Sequence, residues 1–472
     1  MRGLLFILIF SAGVLLAGAD LTVLAVSDSH AECWRWRSLA EAVEKFRKDA
    51  GKENVLLLDA GDSLQGSWAG TRQAGAIPLA IMNHLRVDVW VPGNHDFEFS
   101  PERFLQFRGA LLGGDWETPR VKPRAWQMFE RSGHKIAVIG LGEWGMRQRT
   151  LPDSGISFTD PETVLAESIR EAKMAGAELL ILVQHDGEFG SFGTLHRRLR
   201  KFPEIHLVIG AHTHQAVAGK KIGSAWFVQP GSHGKMLGVI RVQFRGAGEV
   251  PLITSFLEQM PERSRYFFPQ DIYKELSAVS LAGKQVLGIV PGGLAQPFDR
   301  DMNGAFGELA EQALLRKTGA AAAVFCMYKG TYRSPERVTA ENLFRVYPFG
   351  SRIYSVSLTP QELEGLLREL ITFQRKKRDL AIRFGGMKIF RDKRGFLQKA
   401  VLPPAGADGR IVVALTEFEL TGCAGKVPYL PGLLRRGMPY RNTGVLLQDA
   451  MARQLSGKKN LQSGKKGVSY NK

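Results

Sequence analysis

The chain has 472 residues, of which 44% are hydrophobic and 23% are charged. This composition is that of an ordinary globular protein, which excludes a chain that stays unfolded. Because domains usually contain about 100–200 residues, the length predicts two folded domains rather than one. The formal net charge of +17 favours anionic partners, such as phosphate esters, nucleic acid or an acidic membrane surface, but does not choose among them.

The first 19 residues predict a secretory signal peptide. Arg2 provides a positive start, residues 3–16 are apolar, and Ala17-Gly18-Ala19 offers a small-residue cleavage site. An uncleaved anchor is the alternative, although the apolar run is shorter than the roughly 20 residues of a membrane-spanning helix. We therefore expect a periplasmic or secreted protein with no membrane anchor after the signal is cleaved.

Residues 20–250 alternate between strand-like and helix-like segments. Runs of Val, Leu and Ile with little alternation predict strands that are buried on both faces, with the intervening helices as covers. The predicted strands are residues 21–27, 55–59, 87–91, 135–140, 178–183, 206–209, 225–229 and 237–244, and the clearest helices are residues 38–48 and 163–175. The pattern predicts an α/β domain with sheets sandwiched between helices.

The rest of the chain predicts a linker, a second domain and a tail. Prolines interrupt residues 251–289, which we interpret as a linker with one helix near residues 272–279. A second domain follows at residues 290–455. Its predicted elements are helices at residues 304–318 and 359–373 and strands at residues 322–327, 352–358 and 411–415. Residues 456–472 are polar and basic, and such a composition cannot bury a core, so a disordered tail is expected.

The three cysteines, Cys33, Cys326 and Cys423, are too few for a disulfide scaffold and fit no zinc motif. Cys326 and Cys423 could pair in an oxidising compartment. Buried free thiols fit the sequence equally well, because each cysteine lies in or beside an apolar segment. The sequence leaves their pairing open.

Five short polar motifs lie in the first half of the chain, and each follows a predicted strand. They are Asp28-Ser29-His30, Asp59-Ala60-Gly61-Asp62, Gly93-Asn94-His95-Asp96-Phe97-Glu98, His185-Asp186 and Gly210-Ala211-His212-Thr213-His214. In open α/β sheets, ligands bind beyond the carboxyl ends of the strands. The fold can therefore bring all five motifs to one edge, although they are far apart in the sequence.

The residue types in these motifs point to a metal site. Imidazole, carboxylate and amide oxygen suit borderline transition metals such as zinc, manganese or iron. The motifs contain no cysteine, which disfavours a structural zinc site. A lone histidine in an α/β protein is more often structural, but five of the ten histidines fall inside these ordered motifs. Together they favour a catalytic metal centre.

The five motifs resemble those of calcineurin-like metallophosphoesterases. The matching positions are Asp28-x-His30, Gly61-Asp62, Gly93-Asn94-His95, His185 and Gly210-x-His212-x-His214. The sequences of residues 58–67, 210–215 and 229–235 narrow the resemblance to the 5′-nucleotidase family. It continues into the second half at Tyr347-Pro348-Phe349-Gly350 and Leu358-Thr359, and so covers nearly the whole mature chain.

This resemblance implies the fold and the cofactors. A four-layer α/β/β/α metallophosphoesterase sandwich over residues 20–250 would be the catalytic domain. A smaller α/β 5′-nucleotidase C-terminal domain over residues 290–455 would bind the substrate. Two divalent metal ions (Mn, Zn, Fe or Mg) are implied. One would be held by Asp28, His30, Asp62 and His214 and the other by Asp62, Asn94, His185 and His212, with Asp62 as the bridge.

The resemblance further implies that His95 stabilises the transition state or protonates the leaving group rather than binding metal. The family usually reads Asn-His-Glu-Phe-Asp here, and its aspartate orients the histidine. In this chain the two acids are exchanged, as Asp96 and Glu98. Glu98 is therefore expected to orient His95, with one extra methylene. At His214 the family often has glutamine, but histidine is equally competent as a ligand.

The predicted substrate pocket departs further from the family. Nucleotidases stack the base between two aromatic rings and contact phosphate through arginines near an Asn-Gly-Gly-Gly-x-Arg segment. Here Arg333 is retained, and Lys329 adds a charge that could replace a lost contact. The stacking positions fall near Ala381, with Phe384 close by, and at Phe418. The alternatives are that Phe418 belongs to the core and that Arg333 is an ordinary surface arginine.

Three functions remain compatible with the sequence. The first is an exported phosphoesterase that hydrolyses nucleotides, as a 5′-nucleotidase and/or 2′,3′-cyclic phosphodiesterase, by attack of a metal-activated water. The second is a related hydrolase with a remodelled pocket, for a non-nucleotide phosphate ester or a sulfur ester as in thiosulfohydrolases. The third is a non-catalytic binding protein. A small-molecule phosphate ester is the expected partner, and no stable nucleic acid complex is expected.

Overall fold

The computed structural model describes residues 20–142, 145–146, 150–151, 154–189, 194–246 and 248–457. The predicted signal peptide, residues 1–19, lies outside the described residues, as does the predicted tail from residue 458 onward. The first two residues of that predicted tail are instead the end of the helix Leu447–Gly457.

Two six-stranded sheets form the first domain. The first contains β1 (Leu21–Val26), β2 (Val55–Asp59), β3 (Val89–Trp90), β4 (Ala110–Leu111), β13 (Met236–Gln243) and β14 (Leu252–Gln259). The second contains β6 (Trp126–Arg131), β7 (His134–Leu141), β9 (Leu179–Gln184), β10 (Leu207–Ile209), β11 (Ala216–Ile222) and β12 (Ala225–Pro230). The strand orders are β14-β13-β1-β2-β3-β4 and β11-β12-β10-β9-β7-β6. A short pair, β5 (Trp116–Glu117) and β8 (Ser157–Phe158), lies apart from both sheets.

Neighbouring residues of the buried strands enter different cores, because successive side chains of a strand point to opposite faces. In β1, Val23 packs in the core between the two sheets, whereas Leu24 packs in the outer core under the helices. In β9, Ile181 enters the same central core and Leu182 the outer core of the second sheet. Both faces of each sheet are thus buried, which explains the continuous apolar runs.

Helices cover both outer faces. The first sheet is covered by Trp36–Ala50, Trp68–Arg72, Ala76–His84 and Gln270–Gly283, and the second by Pro161–Met174 and Leu195–Lys201. The layers therefore follow the order α/β/β/α, as predicted.

The second domain is built on a five-stranded sheet. Its strands are β16 (Ala322–Tyr328), β18 (Arg352–Leu358), β19 (Leu380–Gly385), β22 (Ile411–Thr416) and β23 (Tyr440–Leu446). Their order in the sheet is β19-β16-β22-β18-β23. Two smaller pairs are β15 (Val286–Ile289) with β17 (Arg337–Thr339) and β20 (Lys388–Arg391) with β21 (Leu397–Val401). The helices are Ala305–Thr318, Ala340–Val346, Pro360–Lys376, Glu417–Leu420, Gly422–Gly425, Tyr429–Arg435 and Leu447–Gly457. A separate apolar core lies on each face of the main sheet.

The first domain extends beyond the boundary predicted at residue 250. Within the predicted linker, residues 252–259 form β14, which pairs with β13 along its whole length. Pro251 and Pro261 flank this strand and do not interrupt its hydrogen bonds. The helix Gln270–Gly283, which was expected, also packs on the first-domain core. Most of the supposed linker is therefore part of the first domain.

In the part of the chain that the structure describes, no helix combines the length and the apolar character that crossing a bilayer requires.

We expect Thr359→Ala to destabilise the protein by about 1 kcal/mol through loss of a helix N-cap. Thr359 Oγ1 accepts a hydrogen bond from the backbone N–H of Glu362 at 3.2 Å, and Glu362 Oε2 accepts one in return from the backbone of Thr359 at 2.9 Å. Urea unfolding measures the change. The matched control is Thr372→Ala within the same helix, whose hydroxyl donates back to Arg368 O and caps nothing. Equal losses in both variants would contradict the capping argument.

Candidate metal centre

The loops that follow four parallel strands converge at one end of the two packed sheets. Asp28 follows β1, Asp62 follows β2, Asn94 follows β3 and His185 follows β9. Backbone hydrogen bonds join the first two loops, from Asp28 N to Gly61 O at 2.9 Å and from His30 N to Asp62 O at 2.9 Å. The strand ends therefore meet in one place, as the sequence predicted.

The backbone at this edge is held in an uncommon conformation. Left-handed φ angles between 47° and 69° occur at a set of non-glycine residues, namely Asp28, His30, Asp62, His212 and His214. Such conformations each cost of order 1 kcal/mol or more and persist only where the surroundings enforce them. Their concentration at five of the seven predicted metal ligands indicates a site that the fold holds in place.

The predicted ligands form two adjacent clusters. One contains Asp28, His30 and His214, and the other contains Asp62, His185 and His212, with the ligand atoms of each cluster within 4.8 Å of one another. His30 Nε2 lies 3.0 Å from His214 Nε2, and His185 Nε2 lies 3.2 Å from Asp62 Oδ2. Asn94 follows Gly93, where an added Cβ would meet Asp62 Oδ1 at 2.3 Å and His185 Cε1 at 2.4 Å.

These atoms fit divalent cations. His185 Nδ1 donates to Ala60 O at 2.7 Å and His30 Nδ1 to Gln65 O at 3.2 Å, so each Nε2 presents a lone pair to its cluster. Among the described residues, Asn94 Oδ1 is buried without a hydrogen-bond partner, and His185 Nε2 has only the Asp62 carboxylate, at 3.2 Å and without hydrogen-bond geometry. Buried polar atoms are rarely left so, and a cation would satisfy both. The donor set suits zinc, manganese or iron.

His95 and Glu98 are in contact, as the exchanged acids predicted. His95 Nδ1 donates to Glu98 Oε1 at 2.6 Å. The backbone N–H of His95 donates to Asp62 Oδ1 at 2.8 Å, which joins this pair to the metal-binding loop. Burial lowers the pKa of His95, but the carboxylates of Asp62 and Glu98 more than offset it and raise the pKa to about 9. Both carboxylates therefore favour the charged form of the ring.

Asp96 is a structural residue that sequence reasoning did not assign. Its buried carboxylate accepts hydrogen bonds at 2.8–2.9 Å from four backbone N–H groups, those of Asp62, Ser63, Leu64 and Gly93. It thereby ties the loop after β2 to the loop after β3. Its place inside a metal-binding motif could have marked Asp96 as important, but only the tertiary contacts show that it joins the two loops.

Comparison with known proteins agrees with this geometry. Residues 21–216 match the family described as calcineurin-like phosphoesterases. The sequence prediction of a calcineurin-like phosphoesterase domain is therefore confirmed.

Relatives extend the similarity to the second domain. Protein 5NUC of Lutzomyia longipalpis is 25% identical over an alignment of 391 residues, and the alignment covers 70% of this chain and 66% of that protein. Across this and two further curated relatives, the chain spans 27–66% of their length. They and the family match support a metal-dependent phosphoester hydrolase.

Solved structures share the two-domain fold. A 5′-nucleotidase precursor from Thermus thermophilus has a TM-score of 0.69 at 19% identity and covers 95% of this chain and 98% of that chain. The sulfate thiohydrolase SoxB from the same species has a TM-score of 0.63 at 16% identity and covers 94% of this chain and 95% of that chain. At these identities the likeness concerns the fold alone, and it confirms the predicted architecture.

Burial creates opposing pKa shifts inside the phosphoesterase site. Burial raises the pKa of Asp28 to about 7 and lowers the pKa of His30 to about 3. Burial also lowers the pKa of His185, but the Asp62 carboxylate more than offsets this and raises it to about 10. Buried carboxylates need a positive charge nearby to stay ionised. A divalent cation bound by both the carboxylates and the imidazoles would provide that charge.

The predicted substrate residues are held by contacts within the second domain. Arg333 is exposed, and its Nη1 donates to Gly292 O at 2.8 Å. The backbone of Lys329 pairs with Asp379 O at 2.7 Å. Phe418 is half-buried against the domain core, with its ring 6.4 Å from that of Tyr328. These contacts fit the structural alternatives for Arg333 and Phe418 and leave their substrate roles as predictions.

The other predicted stacking position, near Ala381, is also part of the packed second domain. Ala381 is fully buried in β19, and Phe384 packs against the core of the second domain. Cys326 and Cys423 are buried free thiols in the structure, as one of the two alternatives held.

A cavity of about 460 Å³ lies between the domains, beside the metal-binding loops. Its walls include the rings of Trp34, Trp68 and Tyr332 and the carboxylates of Glu32 and Glu341. Gly66, in the loop after β2, forms part of the wall. A Cβ added at Gly66 would come within 2.4 Å of the Cβ of His30, so this part of the wall lies against a predicted metal ligand. The volume lies within the roughly 300–1,000 Å³ of small-molecule sites. Sequence reasoning missed this cavity, because loops of both domains form it.

We expect Asp96→Asn to weaken metal binding about 10–100-fold, as loss of an outer-sphere partner does. The amide replaces one acceptor oxygen with a donor that faces two backbone N–H groups, which costs about 1–3 kcal/mol of stability. Manganese titration and urea unfolding measure the two effects.

Asp115→Asn is the matched control, because its buried carboxylate accepts from Gly142 N at 2.7 Å in the same domain. It should lose stability and keep its metal affinity. A folded Asp96→Asn protein with unchanged manganese affinity would contradict the assigned role.

Proposed function

We propose that this chain is an exported dinuclear-metal phosphoesterase that hydrolyses nucleotide-type phosphate esters, as a 5′-nucleotidase and/or a 2′,3′-cyclic phosphodiesterase. The observation that carries the proposal is the pair of adjacent ligand clusters, beside the buried, unpartnered Asn94 Oδ1 and the hydrogen-bonded pair of His95 and Glu98. A binding protein without catalysis has no need of this combination.

In this proposal Asp28, His30 and His214 hold one cation, and Asn94, His185 and His212 hold the second, with Asp62 between them. When bound, two divalent cations would supply positive charge for the phosphoryl oxygens and a water of lowered pKa. A hydrogen bond joins the two clusters, because the backbone N–H of His212 donates to Asp28 Oδ1 at 2.9 Å. This hydrogen bond fixes the position of one set of ligands relative to the other.

His95 supplies the proton for the leaving group. Glu98 accepts from Nδ1, so the second proton of the imidazolium lies on Nε2. That proton is available to an alkoxide leaving from phosphorus. The carboxylate of Glu98 stabilises the charged ring and fixes its orientation.

The leaving group fits the cavity between the domains. Trp34 is 41% exposed and so presents aromatic surface to the cavity, whereas the guanidinium of Arg345 covers one face of the Tyr332 ring at 4.4 Å. A nucleobase stacks well on such surfaces, and the carboxylates of Glu32 and Glu341 can accept from ribose hydroxyls. The cavity begins one residue from Gln65, whose carbonyl orients His30. A phosphate at the metals would thus place its nucleoside there.

Export is proposed from the sequence of residues 1–19. Similar proteins include 5′-nucleotidases of snake venom and a 5′-nucleotidase precursor, names that agree with secretion. A domain division near residue 290, with a basic tail at the end of the chain, completes the proposed organisation.

We expect Asp62→Asn to reduce phosphate release from AMP by about 100-fold or more, because the bridging carboxylate loses its charge. Release is measured with Mn²⁺, Zn²⁺ or Mg²⁺ on the mature protein. Asp160→Asn is the control, since that exposed residue only caps the helix Pro161–Met174.

A panel of AMP, an aryl phosphate and a thiosulfonate distinguishes among the three functions that the sequence left open. AMP turnover that is lost only in Asp62→Asn supports the proposal. Turnover restricted to an aryl phosphate or to a thiosulfonate would exclude a nucleotide substrate. No turnover by a metal-loaded protein would indicate a binding protein.

We expect Trp34→Ala to raise the KM for AMP about 10-fold, because stacking on a base contributes about 1–3 kcal/mol. Glycerol 2-phosphate has no ring, so its KM should not change. Equal KM values for AMP in the variant and the native protein would place the nucleoside elsewhere.

A further inference from the structure

A short segment of the second domain reaches the catalytic residues of the first. This segment, residues 347–350, follows the helix Ala340–Val346 and is called the bridging segment below. Gly350 N donates to Glu98 Oε2 at 2.8 Å, and Gln65 Nε2 donates to Pro348 O at 2.5 Å. The ring of Phe349 lies nearly parallel to that of His95, with centroids 6.4 Å apart.

Glu98 connects the two domains with both of its oxygens. Oε1 accepts from His95 Nδ1, while Oε2 accepts from Gly350 N. A glutamate side chain has several rotamers, and fixing it costs up to about 2 kcal/mol. The two simultaneous hydrogen bonds select one rotamer. The position of the bridging segment therefore sets the position of the carboxylate that orients His95.

The exchanged acids explain how one carboxylate can serve both partners. Asp96, the shorter acid, is fully buried and saturated by four backbone N–H groups. Glu98, the longer acid, is only partly buried and extends toward the second domain. An aspartate at position 98 would be one methylene shorter and could not keep both partners.

Other contacts hold the same two surfaces together. Arg72 Nη1 lies 2.9 Å from Asp449 Oδ1, and the rings of Trp68 and Phe344 meet at 6.2 Å. The first pair is exposed and contributes little by itself. The hydrogen bond to Glu98 is one of several contacts between these surfaces, and it is the one that reaches the carboxylate bound to His95.

We propose that the bridging segment acts through Glu98 as a positioning element, so that His95 is oriented for proton donation while the two domains are in contact. This inference rests on the proposed function, because it assigns a purpose to the His95 proton. Docking of the second domain then completes the acid that the leaving group needs. Gly350 is a positioning residue, and it touches neither substrate nor metal in this scheme.

Gly350→Ala tests the inference with a minimal change. An added Cβ would lie 2.9 Å from Glu98 Oε2, and the next atom of Glu98 is its Cβ at 3.9 Å. The methyl group therefore displaces the flexible end of one side chain and leaves the backbone unstrained. Gly432→Ala is the matched control in the same domain, since its nearest neighbour is Arg436 Nη1 at 3.9 Å.

Two substrates separate positioning from a general structural effect. The alkoxide leaving group of AMP needs a proton, whereas the phenolate of 4-nitrophenyl phosphate leaves without one. We expect kcat for AMP to fall about 10–100-fold in Gly350→Ala, within the range of general acid catalysis, and kcat for 4-nitrophenyl phosphate to change less than about 2-fold. Gly432→Ala should match the native protein on both substrates.

A double-mutant cycle adds a second readout. Glu98→Asp should show the same selective loss on AMP, and adding Gly350→Ala to it should cause little further loss, because the shared hydrogen bond is already gone. Additive losses would overturn the inference, as would a Gly350→Ala protein with native activity or with equal losses on both substrates. If the native protein hydrolyses neither ester, the proposed function fails, and the inference fails with it.

Discussion

The burial of many carboxylates and imidazoles at one edge of two packed sheets is the constraint on which this structure depends. Asp28, Asp62 and His185 have almost no exposure, so water cannot neutralise them. The fold answers in two ways. Backbone N–H groups saturate Asp96, and the remaining ligand atoms converge on two points where cations fit. The left-handed loops are tolerated because this network holds them.

The same network extends to the second domain through the carboxylate of Glu98. Asp62 accepts from the backbone of His95, His95 donates to Glu98, and Glu98 accepts from Gly350. A chain of hydrogen bonds thus runs from the proposed bridging ligand to the domain that would bind the leaving group. Specificity and proton donation are then parts of one arrangement, which would form when the domains meet around a substrate.

Local signals account for what the sequence predicted well. Apolar runs bounded by polar motifs placed β2 and β18 at their observed bounds, and the position of each motif after a strand predicted that the motifs meet at one edge. The division of the ligands into two sets came from the resemblance to metallophosphoesterases. Long-range packing accounts for the misses. β14 lies between two prolines that resemble a linker, and Asp96 binds backbone groups that no motif specifies. The cavity at Trp34 and Tyr332 requires both domains, so residues read from the second domain alone could not reveal it.

The central claim is that one carboxylate joins two metal ions in a single centre. Electron paramagnetic resonance of the manganese-loaded protein tests it most directly, because two Mn²⁺ ions that share a bridging ligand are magnetically coupled. The account predicts two Mn²⁺ ions per chain with the spectrum of a coupled pair, and isolated Mn²⁺ signals after Asp62→Asn. A native protein that binds a single Mn²⁺ ion, or two ions without coupling, would contradict the account.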